Sequence, residues 1–142
     1  MEKETPPTPI AQKHLFGCSV ACVAFILRLN YSTTLKLFNK SEYKAEYYGS
    51  YCKEITEILN NQGKNFEYKY VKENIKRKIY QNNTIVFIKR SKKYPDGHYL
   101  CRYKNLWMDP WINFQNDKKI KKAKAGFRKR LPGKPIYVIL PK

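Results

Sequence analysis

A thiol, a base and a carboxylate can together cleave or transfer an acyl group, and this chain holds a candidate for each. Cys18 follows Gly17 and opens a run in which, from Cys18 to Leu29, there is no Gly, no Pro and one charge, Arg28. Apolar residues fall on every side of a helical wheel there, which predicts a helix buried all round. Cys18 then stands at a helix N-terminus, where unpaired backbone N–H groups and the helix dipole favour negative charge. The thiolate is the nucleophilic form of cysteine. Gln12, six positions upstream, carries an amide that can donate to an oxyanion. Of the two histidines, His14 is next to the thiol in sequence, whereas His98 begins a strand-like run, His98–Tyr103. Lys104–Asn105 then reads as a tight turn into a second run, Leu106–Asp109. Such a hairpin brings Asp109 back beside His98, and Pro110 holds Asp109 extended. Cys18, His98, Asp109 and Gln12 thus supply a nucleophile, a base, an orienting carboxylate and an oxyanion donor.

The remaining cysteines have plainer roles. Cys22 lies one helical turn after Cys18 and is expected to pack in the core. A Cys18–Cys22 bridge cannot meet the disulfide torsion, because side chains on adjacent turns run parallel. A zinc site from Cys18, Cys22, His14 and His98 lacks a matching second pair of ligands, so no metal or other cofactor is expected. Cys52 and Cys101 read as filler in apolar runs. Trp107 and Trp111 flank Asp109, either as core or as a shield keeping water from the His98–Asp109 pair.

These side chains need a frame. Residues 1–11, with Pro6, Pro7 and Pro9, read as a flexible arm, and 12–142 as one domain. The buried helix is expected to end near Asn30. Ser32 and Thr33 can cap a short helix carrying Leu35, Leu37 and Phe38. Residues 39–49 read as a loop. Ser50 can cap a helix with Ile55, Ile58 and Leu59 on one face, ended by Gly63. Phe66–Val71 alternates as a half-buried strand. Glu73–Tyr80 reads as a short helix with Ile75 and Ile79 inward, and Thr84–Ile88 as a buried strand. Residues 116–130 read as a basic loop with a helical turn, and Ile136–Leu140 as a closing strand. Helices first and a mostly antiparallel sheet second predict an α+β domain.

With that frame, the chain resembles the papain-like cysteine peptidases that process bacteriocin leaders, the double-glycine leader peptidases. Their motif is a Gln, six residues on a Cys opening a buried helix, then Ala-Cys within it; Gln12, Cys18 and Ala21-Cys22 match. Their His opens a strand and their Asp, followed by Pro, ends the next; His98 and Asp109-Pro110 match. Gly49-Ser50, ahead of the helix ending at Gly63, is similar to the family's middle section. Gly17 stands where the family often has Asp, and the interval from 98 to 109 is shorter than the family pattern implies. The resemblance implies a papain-like fold and a Cys18–His98–Asp109 triad with Gln12 as oxyanion donor. It implies hydrolysis of a peptide or protein substrate after small residues such as a Gly pair. An amide transferase or deamidase would use the same four residues.

Charge suggests a partner. The formal net charge is +18, from 29 Lys and Arg against 11 Asp and Glu. That points to an acidic peptide, nucleic acid or an anionic surface, although a Lys- and Asn-rich composition alone yields the same sum. Basic residues gather at 89–93 and at 118–130. The second class of function is therefore a nucleic-acid-binding protein on the same fold, catalytically active or not. Glu2, Lys3 and Glu4 do not resemble a signal peptide. No run approaches the ~18 apolar residues of a membrane span. Thiols in apolar runs suggest a reducing, cytoplasmic setting.

Overall fold

The computed structural model describes residues 7–38 and 51–142. Among these, three α-helices, α1 (Cys18–Leu27), α2 (Tyr31–Leu35) and α3 (Cys52–Asn61), lie on a six-stranded sheet. The strands are β1 (Phe66–Tyr70), β2 (Ile85–Ile88), β3 (His98–Tyr103), β4 (Leu106–Asp109), β5 (Gly126–Arg128) and β6 (Pro135–Pro141). Their order is β1-β6-β2-β3-β4-β5, with every neighbouring pair antiparallel. The domain is α+β, as expected.

Helix α1 is buried on all sides, from Ser19 through Ile26. Gly17 precedes it without a side-chain cap. Gly in place of a capping side chain costs only about a few tenths of a kcal/mol, whereas each fully buried Val or Phe side chain contributes about 1.5–3 kcal/mol. Burial therefore holds this helix, and its N-terminal N–H groups stay uncapped by any side chain at the Cys18 end. Arg28 ends it in the left-handed region (φ 60°), returning its N–H to Ala24 O. The helix thus stops before Asn30. Asn30, and not Ser32 or Thr33, caps α2, its Oδ1 accepting from the Thr33 N–H at 2.7 Å. Gly17 has a steric reason: a Cβ there would lie 2.0 Å from the Tyr31 hydroxyl.

Both sheet faces are covered. Phe25, Ile55, Leu59, Cys101, Met108 and Ile139 join helices to one face. On the other, Ile75, Ile79, Tyr94 and Leu131 close over Val86, Leu100, Trp107 and Val138. Residues 73–80 put Ile75 and Ile79 inward as expected, but through turns and a 3-10 helix (Lys78–Tyr80) instead of one α-helix. Tyr51 immediately precedes α3; Ser50 and the expected loop 39–49 lie outside the described residues. Gly63 adopts φ 84° after the helix, which suits its terminating role. The N-terminal segment reaches the core, Ile10 packing on the helix side and the Gln12 N–H donating to Pro110 O at 3.2 Å.

Two strands differ from expectation. β1 forms, but only Phe66 is buried, and Tyr68 and Tyr70 are 50% and 62% exposed. It is an edge strand, and its tyrosines become a groove wall instead of a core face. Residues 126–128 form β5, where a basic loop is expected. The turn of residues 120–122 is present as a 3-10 helix.

Candidate active site

The β3–β4 hairpin turns at Lys104–Asn105, with Lys104 at φ 52°. It sets His98 at the start of one strand beside Asp109 at the end of the next. His98 Nε2 donates to Asp109 Oδ1 at 2.7 Å, and the Trp111 N–H donates to the same oxygen at 2.9 Å. His98 is 5% exposed and Asp109 0%. The Nε2 atom is taken by Asp109, which leaves Nδ1 for another partner. Cys18, half-exposed at the first turn of α1, lies near enough to His98 to act on its protonation. Two of the four expected site residues, His98 and Asp109, are therefore in direct contact, with Cys18 close by.

Electrostatics follow from that contact. Burial opposes a charged His98, but the hydrogen bonds and charges of Asp109 and Cys18 outweigh it, pushing its pKa up to about 10. Burial also opposes ionisation of Asp109. There the His98 bond and charge, the Trp111 N–H and the Arg128 charge prevail, holding the carboxyl below its ordinary value. The arrangement favours an imidazolium held against the Asp109 carboxylate.

Gln12 is 2% exposed and lies near this end of the sheet, but its amide is engaged. Nε2 donates to His14 O at 3.0 Å and to Leu15 O at 3.1 Å, tying down the loop that leads into Cys18. His14 is elsewhere, its Nδ1 paired with the Tyr31 hydroxyl at 3.0 Å. Cys22 and Cys101 are buried, and burial pushes both thiols up. Cys52 is not mere filler: it is half-exposed beside Cys18 in a groove and contacts the Tyr99 hydroxyl at 3.6 Å. Its thiol is also pushed up by burial. The two tryptophans part company. Trp111 meets Asp109 through its backbone N–H while its ring packs edge-on against Phe114, whereas Trp107 stacks with the Arg102 guanidinium 4.9 Å away.

The groove beside Cys18 has a volume of about 780 Å³. A row of rings floors it, one from each of four adjacent strands: Tyr70, Tyr137, Phe87 and Tyr99 are cross-strand partners in register. Successive centroids are 4.9, 6.1 and 4.8 Å apart. Gly97 (φ 73°) makes room for this row, since a Cβ there would meet the Phe87 ring at 2.2 Å. Lys53, Lys69, Lys89 and Arg90 line the groove against one acid, Asp96. The 89–93 cluster thus contributes two cations to the site. Of the second cluster, Arg128 reaches Asp109, while Lys118, Lys119, Lys121, Lys122, Lys124, Lys129 and Arg130 are exposed. Nothing in the described residues supports nucleic-acid binding.

Sequence reasoning missed two neighbours of the pair. Tyr94 stacks on His98 with centroids 5.0 Å apart and planes at 11°. Tyr94-Pro95-Asp96-Gly97 is a turn closed by the Gly97 N–H to Tyr94 O (3.0 Å). Its Pro and Gly positions were a legible turn signal, but not where the ring would land. Arg128 was hidden in a lysine-rich run.

Helices on an antiparallel sheet, with a cysteine-headed helix against a His–Asp hairpin, make the fold that of a papain-like peptidase domain. A solved structure with this fold is the peptidase domain of Streptococcus ComA, a bi-functional ABC transporter involved in a quorum sensing pathway. The likeness has a TM-score of 0.57 and spans 96% of this chain and 99% of that one, at 19% identity, and concerns the fold. No family model and no curated protein matches the chain.

Proposed function

We propose that the protein is a cysteine peptidase that uses Cys18, His98 and Asp109 as a triad. The observation that carries this is the buried 2.7 Å His98–Asp109 bond with Cys18 close to the same histidine. The Cys18 thiolate attacks the peptide carbonyl carbon and forms a C–S bond. The resulting oxyanion accepts from the Cys18 backbone N–H. Gln12 joins it by exchanging one of its two loop carbonyls for the oxyanion. His98 then gives its proton to the leaving amine as the C–N bond breaks, and a thioester remains. Water, deprotonated by His98, hydrolyses that thioester and restores the thiol.

The groove suits an extended peptide with apolar or aromatic side chains over the ring row and acidic ones toward Lys53, Lys69, Lys89 and Arg90. The motif resemblance of Gln12, Cys18 and Ala21-Cys22 to the double-glycine leader peptidases suggests small residues, such as a Gly pair, before the cut. Iodoacetamide at neutral pH is expected to modify Cys18 roughly tenfold or more faster than Cys22, Cys52 or Cys101, whose thiols burial suppresses. Peptide mapping by mass spectrometry reads this directly. Equal labelling of Cys52 and Cys18 would remove the nucleophile assignment. Product masses separate peptidase from deamidase, since deamidation leaves the peptide whole.

Changing Lys53, Lys69, Lys89 and Arg90 to Gln is expected to raise KM for an acidic peptide roughly tenfold, each exposed charge contributing up to ~1 kcal/mol. The salt dependence of kcat/KM should weaken. Steady-state kinetics on acidic and neutral versions of one peptide check it. Identical KM changes for both versions would leave the cations without a role in recognition.

A further inference from the structure

Two side chains outside the triad close a ring around the His98–Asp109 pair. Asp109 Oδ1 is occupied by His98 and Trp111, but Oδ2 is buried and receives no hydrogen bond. It faces Arg128 Nη1 at 3.6 Å, a contact of charges too long for a hydrogen bond. Arg128 in turn lies by the Tyr94 hydroxyl, to which its N–H groups can donate, and the Tyr94 ring stacks on His98. The chain of contacts runs His98, Asp109, Arg128, Tyr94 and back to His98.

Strand register makes this ring. Arg128 is paired with Trp107, two residues before Asp109, so the Arg128 and Asp109 side chains leave the same sheet face as diagonal neighbours. Asp109 itself is paired with Gly126, which has no side chain to stand between them. Phe127 points the other way, against Phe25 and Tyr103 at 6.0 Å each, and pins the register. A one-residue slip of β5 would turn Arg128 to the opposite face.

We propose that Arg128, tethered by Tyr94, is a positioning residue for the His98–Asp109 pair: it fixes the Asp109 carboxylate and offsets its charge, limiting how firmly Asp109 holds the proton on His98. A catalytic role for that pair rests on the peptidase function proposed above; the ring itself does not. The charged and titratable groups facing the pair are Cys18 and Cys22 from α1, Tyr94 from the turn before β3, and Arg128 from β5. Among these described groups Arg128 is the permanent cation. A proton that His98 must both keep during attack and release to the amine needs such a counterweight. Without it, a buried carboxylate binds the imidazolium more tightly.

The two histidines make the test direct, because the His98 ring can be followed by 15N NMR across pH beside His14. Arg128→Gln is expected to raise the His98 midpoint by roughly half a pH unit, a threefold gain in proton affinity. Arg128→Lys, which keeps the charge, should leave the midpoint near that of the wild type. Tyr94→Phe keeps the stacked ring but frees Arg128, and should shift the midpoint upward by less than Arg128→Gln. A folded Arg128→Gln protein with an unmoved midpoint overturns the proposal. Should Arg128→Gln fail to fold, an unmoved midpoint in Tyr94→Phe does the same. Melting temperatures recorded alongside separate this from simple destabilisation, which moves stability without moving the titration. The expected shift in a protein that cleaves no peptide would uphold the ring and sink the peptidase function; peptide cleavage with no shift would do the reverse.

Discussion

Cys18→Ala is expected to fold like the wild type and to cleave no peptide. Alanine is the best helix former and fits the first turn of α1, so the helix gains no strain. What is lost is the sulfur that forms the C–S bond. Removing the nucleophile of a comparable triad lowers turnover roughly a millionfold, because the remaining groups cannot form the covalent intermediate. Circular dichroism and melting should therefore match the wild type while single-turnover cleavage vanishes. Cys52 is the informative control, since it shares the groove and hydrogen-bonds Tyr99. Cys52→Ala should keep cleavage. Cleavage surviving in Cys18→Ala but not in Cys52→Ala would move the nucleophile to α3.

Asp109→Ala should lower turnover by roughly tenfold to ten-thousandfold, because His98 loses its orienting acceptor while the thiol remains. It should also change how stability depends on pH. His98 is raised to about 10 in the folded protein. Its contribution is therefore complete below the unfolded value of ~6.5 and is lost as pH climbs from there through about 10. Asp109 is lowered, so its contribution is present above the unfolded value of ~3.9 and is lost as pH falls through its depressed folded value. The pair thus stabilises most between roughly pH 4 and 6.5. Without Asp109 the wild type's fall in stability between pH 6.5 and about 10 should flatten, since the partner that raised His98 is gone. Urea denaturation at a series of pH values reads this slope. Parallel curves for the two proteins would mean that another group holds the His98 proton.

The parts of the site written in local signals were legible, and the parts made by long-range pairing were not. Cys18 was readable because an uninterrupted apolar run after Gly17 can only be a buried helix start. The His98–Asp109 juxtaposition was readable because a two-residue turn leaves a hairpin little choice of register. Gln12 was found by its spacing, but its engagement with His14 and Leu15 carbonyls depends on a loop shape that spacing does not encode. Arg128 and Tyr94 escaped notice for the same reason: each meets the pair through a strand register or a turn. The tyrosines of β1 alternate like a core face, yet the strand lies at the sheet edge, and only topology tells edge from centre. Asn30 displaced Ser32 and Thr33 as a cap because α1 stopped three residues early, at Leu27.

The position of β6 governs when the groove can exist. It is the last strand in chain order yet lies between β1 and β2, which have no direct ladder with each other. Phe66 meets Pro141 and Ile85 meets Ile139, so both ladders close long stretches of chain at once. Such closure must precede any reward from the contacts it makes, which slows assembly. Until β6 inserts, β1 is an unpaired ribbon bearing exposed tyrosines, and Tyr137 is missing from the ring row. The hairpin that holds His98 and Asp109 needs none of this and can form from local contacts. The His98–Asp109 pair, set by a local hairpin, and the groove surface, set by the insertion of β6, thus depend on chain closures of very different length.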